Sequence, residues 1–176
     1  MITKIKQKGV YAVEFAIVGS LFFVFFFAVI EFALVIFTWD VLTEVSRRGA
    51  RLATVCHVPR QSMDVTSPDF RLISASVKPN EVLTAAIFSD AIDEDSNMIG
   101  HLGQDNLEIS YLDYAGNTAT TFAQISLVRA KIINYQHPMF IPFFTITLNS
   151  PSFSTTLPRE SLGVTRYGYT CNGTPL

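Results

Sequence analysis

The 176-residue chain has the length of one domain with an appendage, and its 49% apolar residues are unevenly spread. Its 13 Lys/Arg and 15 Asp/Glu give a formal net charge of −2, and from His57 onward seven basic residues face eleven acidic ones. That balance excludes a polyanion-binding role for the C-terminal part, and with only Cys56 and Cys171 a C-x-x-C redox motif is excluded as well.

Met1–Gly9 is a short basic leader carrying Lys4, Lys6 and Lys8. The stretch that follows, up to Trp39, has only Glu14 and Glu31 as acidic or basic residues. Thirty helical residues rise roughly 45 Å, about a bilayer with its headgroup layers, so residues 10–39 predict a transmembrane helix. Trp39 suits the far interface, half apolar and half wet. A cleaved secretory signal is the rival reading. The apolar part, however, is about twice the usual h-region length and no A-x-A-like site follows it. The positives on the two sides nearly tie, with Arg47, Arg48 and Arg51 beyond the span. The undiluted leader favours the N-terminus inside and the rest of the chain extracytoplasmic.

Residues 40–56 read as an amphipathic extension of the same helix. Leu42, Val45, Gly49, Leu52, Ala53 and Cys56 fall on one stripe, and Pro59 stops the helix. Residues 57–176 predict a head. Arg71–Val77 is a strand candidate, and Glu81–Ile92 a helix capped by Asn80. Leu107–Tyr114 alternates as a strand and is closed by the turn Ala115-Gly116-Asn117. Gln124–Tyr135 alternates with Ile125 and Leu127 on one face, and Phe143–Leu148 and Phe153–Leu157 are shorter β candidates. The order gives an α+β class: a long N-terminal transmembrane and stalk helix, then a small head with one helix and a three- to four-stranded antiparallel sheet.

A carboxylate in a bilayer costs about 2.5–3.5 kcal/mol on insertion scales and normally marks a partner. Glu31 lies roughly 25 Å beyond Glu14, near the far headgroups where it can snorkel. Glu14 stands four residues after Val10. If the chain were cut after Gly9, the new Val10 ammonium would lie at the same depth, and Glu14 could neutralise it within one chain or between neighbouring helices. Snorkelling toward the inner headgroups is the alternative for Glu14.

Lys8-Gly9 before an apolar helix, with Glu14 and Phe15 at the fifth and sixth positions after the glycine, resembles the prepilin peptidase site of type IV pilin-like proteins. GVYAVEFAIV, then VIEFALVIF, then VSRRGARLATV together resemble the TadE-like family of the Tad (Flp) pilus system. Gly9, the Ala12–Ala16 block, the second acidic residue Glu31 and the G-A-R element Gly49, Ala50 and Arg51 carry the resemblance, which covers roughly Gly9–Val55. A proline that many relatives carry near Gly19-Ser20 is missing, so no kink is implied there. The resemblance implies a minor pilin or pseudopilin, cleaved between Gly9 and Val10, with Glu14 and Phe15 as assembly determinants. Its implied partners are the prepilin peptidase, other pilin subunits, the inner-membrane assembly platform and the membrane itself. No nucleic acid, small-molecule substrate, cofactor or metal is expected.

The remaining chemistry-bearing residues carry weaker patterns. Asp93, Asp95 and Asn97 have the alternate spacing of a calcium loop, but Met98 and Gln104 stand where its Gly and bidentate Glu belong. The three His residues have no zinc spacing, and no nucleophile elbow or phosphate loop occurs, so no catalytic residue is expected. An extracytoplasmic head would favour a bridge between Cys56 and Cys171, against two buried or unpaired thiols. Two rivals stay open at this point: a signal-anchored periplasmic binding or enzymatic domain, and a pseudopilin of a secretion machine.

Overall fold

The computed structural model describes residues 8–56, 58, 63–64, 71–72, 81–90, 94–142 and 144–163. Its first element, α1, is one unbroken helix of 48 residues, Lys8–Val55, about 72 Å long at 1.5 Å per residue. It passes through Gly19 and Ser20 without interruption, as expected without a proline there; the Ser20 hydroxyl donates to the Ile17 carbonyl at 2.9 Å. Two environments divide it. From Val10 to Leu34 no residue is buried, and Phe15, Phe22, Phe25 and Phe32 are largely exposed. From Val35 onward one face is buried at Val35, Thr38, Leu42, Val45, Ser46, Gly49, Ala53 and Cys56. These fall three or four residues apart, the spacing of one helix face. The packed part therefore begins before Asp40, where the stalk extension was expected to start.

The head follows as α+β, in the class and order the sequence predicts. Two short strands, β1 (Met63–Asp64) and β2 (Arg71–Leu72), pair antiparallel. The rest of the strand expected at Arg71–Val77, and the Asn80 cap, lie outside the described residues. Helix α2 spans Glu81–Ala86 and places Leu83 and Ala86 in the core. It ends well before Ile92, the expected limit. Phe88 takes a left-handed φ of 59°, the Ser89 N–H turns back to the Thr84 carbonyl, and the Asn97 N–H takes the Phe88 carbonyl. The Phe88 ring is held by the Arg48 guanidinium 4.4 Å above its centroid, a tertiary contact that overrides local helix propensity.

The main sheet has the order β3-β4-β7, from β3 (Leu107–Leu112), β4 (Leu127–Ile132) and β7 (Ser154–Pro158), all antiparallel. The expected turn forms, with the Asp113 N–H bonded to the Asn117 carbonyl at 2.8 Å and Gly116 at φ 88°. It leads into a bridge at Thr118 and a 3-10 turn at Phe122–Gln124, so β4 starts later than the expected Gln124. This shifts the inward face. Val128, Ala130 and Ile132 are buried while Leu127 is only half-buried, and Ile125 is buried from the 3-10 turn rather than from the strand. The expectation that Ile125 and Leu127 share one strand face is thereby corrected.

Between β4 and β7 the chain makes a separate hairpin, β5 (Gln136–Ile141) and β6 (Phe144–Asn149), with β6 close to the expected Phe143–Leu148 and β5 unforeseen. The core lies where the buried face of α1 meets the inner face of the main sheet and α2. It is filled by Leu42, Val45, Leu83, Ile109, Tyr111 and Val128 among others.

Candidate assembly surface

The N-terminal end of α1 carries the residues that the sequence singles out. Gly9 and Val10 lie in the first helical turns, and a side chain at Gly9 would meet nothing within 4 Å. A glycine inside a helix costs about 1 kcal/mol relative to alanine, and among the described residues no close contact accounts for it, at Gly9 or at Gly19. Glu14 follows Val10 by four residues, one turn along the same face, and both it and Phe15 are exposed. Glu31 is half-buried, on the stripe that continues as Val35 and Thr38. Among the described residues α1 is the one helix long and apolar enough to cross a membrane, and very little of its apolar window is buried within the chain. A core helix of a soluble domain would be covered; this one presents Phe22, Phe23, Phe26 and Phe27 outward, with the Phe22 and Phe26 rings stacked at 6.2 Å.

At the other end of the helix the G-A-R element divides into two roles. A Cβ on Gly49 would come within 3.2 Å of Leu107 Cδ2, 3.4 Å of Ala130 Cβ and 3.6 Å of Ala86 Cβ. Gly49 is thus where β3, β4 and α2 all approach the helix backbone, and Ala50 beside it is fully buried. Arg51 is exposed, outside this junction. The face is keyed by a hydroxyl pair, Ser46 Oγ and Thr155 Oγ1 at 3.0 Å, and by the Trp39 and Phe153 rings at 6.5 Å. At the top, the N–H groups of Leu162 and Gly163 donate to the Thr54 and Val55 carbonyls, which ties down the end of the helix. Cys56 is buried there, and Cys171 lies outside the described residues.

Val35, Thr38, Ser46 and Thr155 belong to this interface and were not singled out in the sequence. Stepping the stripe back from Leu42 by four and then three residues reaches Thr38 and Val35. The uniform apolarity of the span conceals that register. Elsewhere, Asp90 accepts a hydrogen bond from Asn97 Nδ2 at 2.9 Å, and Asp93 lies outside the described residues. No group of three or more His, Cys, Asp or Glu suited to a metal occurs among the described residues.

Residues 9–51 match the family model described as TadE-like protein, the family that the motifs resemble; the match covers about a quarter of the chain. No curated protein and no solved structure matches the chain.

Proposed function

We propose that this chain is a minor pilin or pseudopilin that helps initiate, cap or stabilise a Tad-type pilus. In this reading a prepilin peptidase cleaves it between Gly9 and Val10. The observation that carries the proposal is the environment of Gly9. Among the described residues no neighbour requires a glycine there, which is true of Gly19 as well; what sets Gly9 apart is its place directly before an uncovered apolar helix, with the Glu14 carboxylate five residues on. A small residue at that position fits a protease subsite. The TadE-like match over the same residues points to the Tad pilus.

Cleavage would remove Lys4, Lys6 and Lys8, the charges that hold the N-terminus inside. It would also leave an ammonium group on Val10 at the positive end of the helix dipole. Glu14, one turn into the new helix, then offsets that charge in its own subunit or in a neighbour. The apolar half of α1 would pack against the same segment of other subunits, and the head would remain on the extracytoplasmic side. The role is one of assembly and contact, without catalysis.

The mass of the N-terminal peptide from membranes of cells that make the pilus tests this directly. A chain starting at Val10 is expected, whereas intact Met1 would overturn the proposal and favour a signal-anchored domain. Glu14→Gln should leave membrane insertion intact and lower incorporation into filaments. Normal filament content in that variant would remove the charge-pairing argument.

An extracytoplasmic head also supports a Cys56–Cys171 disulfide that fastens the C-terminal segment to the top of the helix. Closing a loop of that length contributes up to about 5 kcal/mol in the chain-entropy treatment. Reductant should lower the melting temperature of the wild type and leave Cys171→Ser unchanged. Equal responses from the two proteins would dismiss the bridge.

A further inference from the structure

The β5–β6 hairpin leaves the head at a particular height along α1. Thr155 of β7 sits beside Ser46, and Leu162, past its end, bonds to Thr54, so β7 runs in the same direction as α1. Its partner β4 runs the opposite way, toward the apolar half of the helix. The hairpin therefore starts and ends at that edge of the sheet. The Ile132 N–H bonds to the Phe153 carbonyl at 2.8 Å, and the Phe153 ring lies against Trp39.

Beyond this edge the same helix face stays covered. Val35 and Thr38 are each 3% exposed, Glu31 and Ala28 are half-buried, and β5 packs against α1. Strand arms of six residues reach about 20 Å, while Trp39 to Glu31 is roughly 12 Å along the helix. The hairpin is thus long enough to pass the level of Glu31.

Its composition suits that place. Residues 132–158 contain no Asp, Glu, Lys or Arg. The base of the hairpin is polar, with Gln136 and Asn149 joined at 3.2 Å between their side chains, and the far end is apolar. Phe140 and Phe144 there are each 64% exposed, and Ile146 is 48% exposed. Exposed aromatics of this kind, level with the end of a membrane span, are more favourably placed against lipid than in water.

We propose that the β5–β6 hairpin is a second membrane contact, inserting Phe140, Phe144 and Ile146 into the outer leaflet beside α1. The inference rests on the reading of α1 as a transmembrane helix. Because β5 and β6 pair only with each other, the outward edge of each strand keeps backbone groups that need water or headgroups, so the hairpin enters as a shallow wedge held against the helix and does not span the bilayer.

The test places a tryptophan at Phe144 in the full chain, in a Trp39→Phe background, reconstituted in phosphatidylcholine vesicles with bromine on the upper acyl carbons. Phe22→Trp reports the span itself, and Tyr114→Trp, at a side chain 91% exposed, reports the solvent side of the head. The Phe144→Trp variant is expected to lose at least half as much emission to brominated lipid as the Phe22→Trp variant, while Tyr114→Trp loses none. If Phe22→Trp is quenched and Phe144→Trp instead responds to aqueous iodide as Tyr114→Trp does, the wedge is overturned and the span stands. If neither lipid nor iodide reaches Phe144→Trp, a second copy covers the hairpin and the proposal is equally overturned. Failure of Phe22→Trp to quench would remove the span and the wedge with it. Phe140→Trp repeats the measurement should Phe144→Trp misfold.

Discussion

Gly49 illustrates how a short family element acquires a physical meaning once the residues around it are known. The element Gly49, Ala50 and Arg51 is a small, small, large-charged sequence on a helix whose buried face is crossed by β3, β4 and α2. Leu107, Ala130 and Ala86 approach closely enough that a β-carbon is already tight, and a longer side chain has no room. Gly49→Leu is expected to destabilise the head by about 1–3 kcal/mol through overpacking, read as a lower thermal midpoint. Gly49→Ala should lie much nearer neutral, because the gain in helix propensity of up to about 1 kcal/mol works against a 3.2 Å contact with a flexible leucine methyl. Arg51→Ala should change stability by less than about 0.5 kcal/mol, since the side chain is exposed. A loss of assembly in Arg51→Ala at unchanged midpoint would then identify Arg51 as a contact residue. A large drop in its midpoint would contradict the division of the element into packed and outward parts.

At the scale of elements, the buried face of β3 sets the head's response to alkali. Tyr111 is 1% exposed within that strand, and burial pushes its phenol well above the ordinary value near 10. Burial raises Tyr135 in the same direction, and its hydroxyl donates to the Gly100 carbonyl at 3.0 Å. The fold therefore favours the protonated phenols. Below pH 10 both folded and unfolded chains hold these protons and the full stability is present. Above it the unfolded chain releases them first, and stability falls by up to about 1.4 kcal/mol per pH unit for each group. Denaturant midpoints at pH 9 and pH 11 should differ accordingly, and Tyr111→Phe should remove the larger share of that difference. An unchanged difference would mean that other groups govern the alkaline limb.

Elements also differ in how far the sequence disclosed them. Residues 10–39 follow from their apolar length and the stripe from Leu42 to Cys56 from spacing, because burial on one face imposes the 3.6-residue period only where the helix packs. β7 lies one residue beyond the short β candidate Phe153–Leu157, and the beginning of β3 at Leu107 followed from alternation. β5 did not, since Pro138 argues against a strand; it is admitted because β5 is paired on one side only, to β6. The early end of α2 was hidden because a phenylalanine at positive φ has no sequence signal, and here Arg48 from a distant helix stabilises it. At the N-terminal end, Glu14 was legible as a carboxylate misplaced in an apolar helix, whereas Gly9 and Phe15 were singled out by the resemblance to pilin-like proteins. The start of the packed face at Val35 was not, because a residue suited to lipid and one suited to a protein interior look alike in the sequence.

For the molecule as a whole, that overlap makes the boundary between anchor and head a shared stretch of helix, and the sharing can be measured. Val35 and Thr38 are buried under the head although they lie within the apolar segment, and Trp39 touches Phe153. A head released at Val41 would lose all three, whereas one released at Val35 would keep them. Burying a valine side chain contributes about 1.5–3 kcal/mol, and the tryptophan contact adds to it. In detergent micelles, which can cover the hairpin end bearing Phe140 and Phe144, the chain starting at Val35 should be more stable than the one starting at Val41 by roughly 2–4 kcal/mol. Denaturant midpoints of the two fragments check this. Equal midpoints would mean that the head does not depend on the helix below Asp40, and the apolar half of α1 would then be an anchor alone. Under the proposed pilin role, in which the subunit is drawn from a bilayer into a fibre, the expected inequality has a mechanical consequence. Force applied to the helix would reach the sheet through Val35, Thr38 and Trp39 as well as through the Gly49 junction, so helix and head would move as one body.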